Sequence, residues 1–126
     1  MAENYDEAIR LYRLAAEQGL SHAQEALGSL YYHGKGVEKD LEEGCKWYKL
    51  AAKQGLARAQ NSLGLAYYNG KGVEQDNAMA VAWWTIAYKS GDRTYLGNKM
   101  QLERELKSHE FLIVDEFVDE WEAKAE

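Results

Sequence analysis

Three histidines, one cysteine and a scatter of hydroxyl and acidic side chains are what the sequence offers for bond-making chemistry. His22, His33 and His109 form no H-x-x-x-H pair, and no glutamate completes a metalloprotease helix, so no zinc-hydrolase constellation is recognisable. Ser29 and Cys45 have no surrounding motif to supply a base and an orienting group. Cys45 falls in an apolar register between Leu41 and Tyr48, which suits a structural thiol rather than a nucleophile. The Gly34-Lys35-Gly36 and Gly70-Lys71-Gly72 loops superficially suggest phosphate cradles. They lack the P-loop and dinucleotide spacings and follow no strand, so they read as turns. The expectation is a protein that is not an enzyme, with no cofactor and no metal.

Composition narrows the class further. A chain of 126 residues fits one domain. With 46% hydrophobic and 29% charged residues it is neither a disordered tail nor a membrane span. No apolar run approaches the ~18 residues that a bilayer crossing needs, and no secretion signal is visible. The compartment is left open: cytoplasmic on this sequence, periplasmic or secreted if an upstream leader has been removed. A single cysteine excludes an internal disulfide framework, and the absence of proline excludes Pro-rich docking segments. The formal charge of −6 is unevenly spread: residues 1–102 carry 12 acidic and 12 basic side chains, residues 103–126 carry 9 and 3. A neutral body lacks the basic stripe that nucleic acid requires. The acidic end reads as a solvated helix face, with an acidic docking surface as the alternative.

An internal repeat organises the chain. YRLAAEQG (12–19), YKLAAKQG (48–55) and WTIAYKSG (84–91) stand at a constant offset of 36 residues, as do AQEALGSLYYHGKGVEKD (23–40) and AQNSLGLAYYNGKGVEQD (59–76). Each unit reads as two helices. The first covers about residues 21–32, with Ala23, Ala26, Leu27, Leu30 and Tyr31 on one face and a capping-box spacing at Ser21 and Gln24. The second covers about residues 41–54, opened by a similar box at Asp40 and Glu43, and Asn4 with Glu7 repeats the pattern one period earlier. Gly19, Gly55 and Gly91 are placed to end the second helices. Gly28 and Gly64 sit inside first helices, where glycine costs ~1 kcal/mol relative to alanine. A cost repeated in register points to a close helix crossing, with Ala15/Ala16 and Ala51/Ala52 expected on the facing side. Trp47, Tyr48, Trp83, Trp84, Tyr31 and Tyr67 recur in register and read as inter-helix core.

The expected architecture is an all-α solenoid of about three helix–turn–helix repeats with a C-terminal capping helix, in a single domain spanning residues 1–126. Its units are a half repeat over about 4–20, full repeats over 21–56 and 57–92, and a cap over 93–126. Residues 94–107 take the place of another first helix but carry Lys99 and Met100 where Leu-Gly would stand. Ser108 is expected to cap a last, amphipathic helix whose apolar arc holds Phe111, Ile113, Val114, Phe117, Val118 and Trp121. The chain starts on a second helix, leaving Leu11, Leu14 and Ala15 without a preceding partner. The preferred reading is part of a longer solenoid; the alternative is burial of that surface on another molecule, self-association included.

The pattern A-x-x-x-L-G-x-x-Y-x-x-G-x-G-V-x-x-D, followed by W-Y/W-x-x-A-A-x-x-G, resembles the Sel-one-like repeat, a relative of the tetratricopeptide repeat. The period and the G-x-G loop favour it over the 34-residue unit, and the resemblance covers roughly residues 4–93. Many members carry a proline after the valine at positions 37 and 73; this chain does not. The resemblance implies a non-catalytic protein-interaction module: an adaptor, scaffold, regulator or inhibitor, often in bacterial signalling, envelope or host-interaction settings. A cysteine-rich branch is associated with penicillin binding and weak β-lactamase activity. Its disulfide-stapled repeats are not matched by a chain with one cysteine, so that hydrolase activity is the disfavoured alternative; a structural self-assembling module is the second.

In tetratricopeptide-like folds the first helices line a concave surface. With positions 23, 27 and 30/31 turned to the core, the concave positions are His22, Glu25, Ser29 and Tyr32, then Arg58, Asn61, Leu65 and Tyr68, and by continuation Thr94, Gln101 and Arg104. Apart from the tyrosines they differ between repeats, which suits recognition of another protein or peptide.

Overall fold

A computed structural model of the chain describes the backbone of residues 5–125 and the side chains of 5–124. The capping pair at Asn4 lies outside the described residues. Seven helices run α1 (Tyr5–Glu17), α2 (Ser21–His33), α3 (Leu41–Lys53), α4 (Ala57–Asn69), α5 (Asn77–Lys89), α6 (Leu96–Glu103) and α7 (Ser108–Ala125), with no strand among the described residues. The helices pack mainly on their sequence neighbours, most extensively α2 on α3 and α4 on α5; α7 passes over α6 to pack on α5. The result is a helical-repeat solenoid.

Helix ends follow from local chemistry. Asp40 and Asp76 cap α3 and α5, their carboxylates accepting from the backbone N–H of Glu43 at 3.0 Å and Met79 at 3.1 Å. At the tight junctions after α1, α3 and α5, Gly19, Gly55 and Gly91 take positive φ. The next residue's N–H then reaches back to the carbonyls of Ala15, Ala51 and Ala87, as a Schellman motif requires. This geometry corrects the box expected at Ser21 and Gln24. Leu20, which closes the Schellman turn, is also the N-cap of α2, without a side-chain cap. Ser21 is therefore already helical, and Gln24 is free to turn inward. A similar shift corrects Ser108: it is the first residue of α7, and Glu110 reaches back to the N–H of Lys107 at 2.9 Å.

The interior glycines make room for aromatic rings, not for the alanines expected opposite them. A Cβ on Gly28 would lie 3.0 Å from Tyr48 and from the Gly44 carbonyl, and one on Gly64 would lie 2.5 Å from Trp84 Nε1. Tyr48 and Trp84 are equivalent positions of α3 and α5, and both are buried. The close crossing thus lies within a repeat. The glycine loops serve the junction between repeats: Gly72 passes so near α3 that a Cβ would meet the Leu41 carbonyl at 2.5 Å and Cys45 Sγ at 2.7 Å.

The main core joins Ala51, Ala52, Ala59 and Leu63 to Val81, Trp83, Trp84 and Ile86, and onward to Leu102, Val114 and Val118. A smaller cluster holds Ile9, Ala16, Ala23 and Leu27. Trp83 anchors the cap, edge-on to Phe117 at 5.2 Å and to Trp121 at 5.7 Å. The inward face of α7 is narrower than the expected arc. Val114, Phe117, Val118 and Trp121 occupy its middle at 100° per residue, while Phe111 and Ile113, at its two edges, stay exposed.

Gly64→Ala is expected to lower stability by roughly 1–2 kcal/mol, because the clash with a buried indole outweighs the ~1 kcal/mol that alanine brings to a helix. Gly97→Ala, where a Cβ meets nothing within 4 Å, should instead stabilise by up to about 1 kcal/mol. Urea denaturation of the two variants checks the opposite signs.

Candidate functional site

The first helices turn Ala23, Leu27, Ala59 and Leu63 into the core, which places the opposite flanks of α2 and α4 at the surface. His22 and its counterpart Arg58 are both exposed. Arg58 reaches back across the helix pair to Glu25, Nη2 to Oε1 at 3.3 Å. The Arg58 side chain is 66% exposed, so this contact is screened and worth little as a tether. It does show that the two helices present one continuous face. Tyr32 and Tyr68 lie on the rings that fill the glycine slots, Tyr32 at 5.6 Å from Tyr48 and Tyr68 at 5.8 Å from Trp84. Trp84 stacks on its other flank with Tyr95, at 5.4 Å.

The selected positions do not all present themselves in the same way. Tyr32 is half-buried, and its hydroxyl donates to the Lys71 carbonyl at 3.2 Å, tying α2 to the next repeat's loop. Burial raises its phenol pKa. Tyr68 is exposed. Ser29 shares a hydrogen bond with Tyr48, whose burial nonetheless pushes its phenol up to about 12. Asn61 is buried, and its amide joins Thr94 in hydrogen-bonding Asp92, which holds that carboxyl below its ordinary range. Asn61 and Thr94 thus shape the turn into α6. Leu65 packs against the core, while Gln101 and Arg104 are exposed on and just after α6, a helix of only 8 residues.

Gln24 is read from the pattern only as a capping-box partner of Ser21, and Gln60 is not singled out. Both are buried, and their amides donate to the carbonyls of Ala16 at 3.2 Å and Ala52 at 3.1 Å, bonding each first helix to the second helix before it. Their identity at matching positions, in a stripe otherwise made of alanine and leucine, was the available signal.

Cys45 is a free, buried thiol that donates to the Lys71 carbonyl at 3.4 Å. Burial pushes its pKa up to about 11, with a weaker opposing pull from Lys49. That is the reverse of the depressed pKa a nucleophilic cysteine needs. Among the described residues no group of three histidine, cysteine or acidic side chains could hold a metal ion, and no helix is long and apolar enough to cross a membrane.

The Sel1 repeat model matches residues 1–20, 21–56 and 57–92. Among solved structures, a protective antigen present in uropathogenic Escherichia coli strains, displaying an SLR fold, is 33% identical over 96% of this chain, with a TM-score of 0.87. A Sel1 repeat protein from Oxalobacter formigenes is 33% identical over 79% of the chain at a TM-score of 0.75. Helicobacter pylori cysteine rich protein B is 27% identical over 75% at 0.72. The chain spans 26% of the length of the first of these, 41% of the second and 71% of the third. No curated protein sequence matches the chain.

With a thiol pKa of about 11, roughly a thousandth of Cys45 is thiolate near pH 8. Iodoacetamide is therefore expected to leave the folded protein unlabelled and to label it fully in urea, as mass spectrometry would read. Rapid labelling of the folded chain would contradict the burial described.

Proposed function

The chain belongs to the Sel1 repeat family, whose members are in general protein-interaction modules, and from that premise we propose that it binds another polypeptide through the flank of α2, α4 and α6. It acts there as an adaptor, scaffold or inhibitory binding protein without catalysis of its own. The observation that carries the reading is the contrast between a repeated interior and a candidate face whose leading position is not repeated. Leu27/Leu63, Gly28/Gly64 and Gln24/Gln60 are identical in pairs and buried, whereas His22/Arg58 differ and are exposed. Arg58 and the exposed Tyr68 are residue types that dominate binding energy in protein interfaces. Thr94, Gln101 and Arg104 extend the face across the last junction, and Glu25, Ser29 and Tyr32 form its floor.

The test is affinity capture from source-cell lysate by the wild-type chain and by a variant carrying His22→Ala, Arg58→Ala and Tyr68→Ala. These three side chains reach solvent, and circular dichroism verifies that the helices persist. A specific partner is expected to bind the variant at least about tenfold more weakly. Undiminished capture by the folded variant removes the site from this face.

A second reading rests on α1, where Leu11 is 52% and Leu14 49% exposed on a helix whose Ile9 and Ala16 already face α2. Two copies, or the chain and another helix, can meet on that surface. Sedimentation is expected to show a concentration-dependent dimer that Leu11→Glu with Leu14→Glu abolishes, and a monomer at every concentration would rule out self-association.

A further inference from the structure

Gln24 and Gln60 stand at equivalent positions in two repeats, and the repeats do not treat them alike. In each, Nε2–H is committed to the alanine carbonyl of the preceding second helix, which fixes the carboxamide's orientation and directs Oε1 away from that bond. Beside Gln24, the Gln54 Nε2 donates to Gln24 Oε1 at 2.8 Å and to the Gly19 carbonyl at 2.8 Å. The counterpart of Gln54 one repeat later is Ser90. Its hydroxyl is too short to reach across and donates to the Ala87 carbonyl at 2.8 Å within its own turn. Gln60, only 1% exposed, is therefore left with an Oε1 that has no hydrogen-bond partner, which is the difference between the repeats; the indole N–H of Trp83, like that of its counterpart Trp47, is buried and unpartnered in both. A buried acceptor and a buried donor left unmade each carry the full cost of their lost hydration.

A cleft of about 630 Å³ opens between the C-terminal ends of α3 and α5 and the cap helix α7. Gln60, Trp83, Ile86, Phe117 and Trp121 line it, with Lys53, Lys124 and Glu120 around it. We propose that this cleft binds a primary carboxamide, the side chain of a glutamine presented by a partner polypeptide, in the role that Gln54 plays for the preceding repeat. The ligand's N–H₂ donates to Gln60 Oε1 and to the Gly55 carbonyl, the counterpart of the Gly19 carbonyl. Its carbonyl oxygen accepts from Trp83 Nε1–H, a bond that Gln54 does not make to the unpartnered Trp47 of the preceding repeat, and its methylenes lie against Trp121 and Phe117. The two protein atoms are buried, so entry requires the side chains that cover them to move aside. A carboxylate has no N–H to offer Gln60, and an ammonium meets two lysines and offers Trp83 no acceptor. This site is separate from the face of α2, α4 and α6, and testing it requires no partner, so its failure leaves that reading untouched.

The probe is N-acetylglutamine N-methylamide, titrated into the full chain labelled with ¹⁵N, with N-acetylglutamate N-methylamide as control. The indole N–H resonance of Trp83, identified by its loss in Trp83→Phe, is expected to shift saturably with the glutamine probe and not with the glutamate one. Ser90→Gln should supply the missing carboxamide internally, raise the melting temperature and abolish the shift. Absence of a saturable shift in the wild-type protein means that the cleft takes only water and overturns the proposal, with or without a folded Ser90→Gln variant. Equal shifts from both probes overturn it as well, because the Gln60 acceptor would then play no part.

Discussion

The slot between a helical glycine and an aromatic ring sets the geometry of each repeat. Gly28 admits Tyr48 and Gly64 admits Trp84, with contacts that a single methyl group would close. Glycine costs its helix ~1 kcal/mol. Burying a ring that removes ~150 Å² from water returns roughly 4 kcal/mol at ~25 cal/mol/Å², so the exchange is favourable. Once the ring is seated, the rest is constrained. The outer face of Tyr48 or Trp84 becomes a platform for Tyr32 or Tyr68, and Trp84 carries the stacking on to Tyr95 beyond the last full repeat. The candidate face is thus built on the same rings that hold the helices together, and the scaffold reaches the surface through them.

Between repeats the ties are polar and local. Gln24 and Gln60 bond each first helix to the helix before it, while the Lys71 carbonyl collects the Tyr32 hydroxyl and the Cys45 thiol from the preceding unit. Such bonds contribute individually about 1 kcal/mol, yet they fix the rotation of one unit on the next, because buried polar atoms tolerate no other register. The glycine at position 72 belongs to this junction: it brings the loop carbonyl within reach of Cys45 and Tyr32.

The 36-residue offset made the architecture legible, since it recurs in helix-ending glycines and in the aspartates that cap α3 and α5. What misled was detail set by neighbours outside the pattern. The serine at 21 has the spacing of a cap but loses the role to Leu20, because the Schellman turn leaves no room between the helices. The crossing glycines are recognisable by their cost, but the ring that fills each slot is not, since nothing in one helix says which neighbour crosses it. Phe111 and Ile113 belong to the apolar arc of α7 by angle, yet α5 is too narrow to cover the arc's edges. On the candidate face, Asn61 carries the right spacing but is drawn inward by Asp92, a residue in the next turn that periodicity does not register.

Repetition also lets the chain serve as its own control. At the helix caps and in the inter-repeat amides, units that agree in sequence agree in bonding, as with Asp40 and Asp76 or the amides of Gln24 and Gln60. A departure therefore has meaning against a known background. Lys99 and Met100 in place of Leu-Gly remove the slot that a further aromatic would fill, so α6 stays short and α7 crosses to α5 instead. Ser90 in place of Gln54 leaves an oxygen without its donor under an aromatic floor. The first departure ends the run of full repeats; the second alters one junction while leaving its backbone turn intact, since Gly55 and Gly91 keep the same positive φ and the same closing bonds. A change that spares the fold and exposes a specific chemical deficit is the kind that ligand binding can use, because the deficit is already present before any partner arrives.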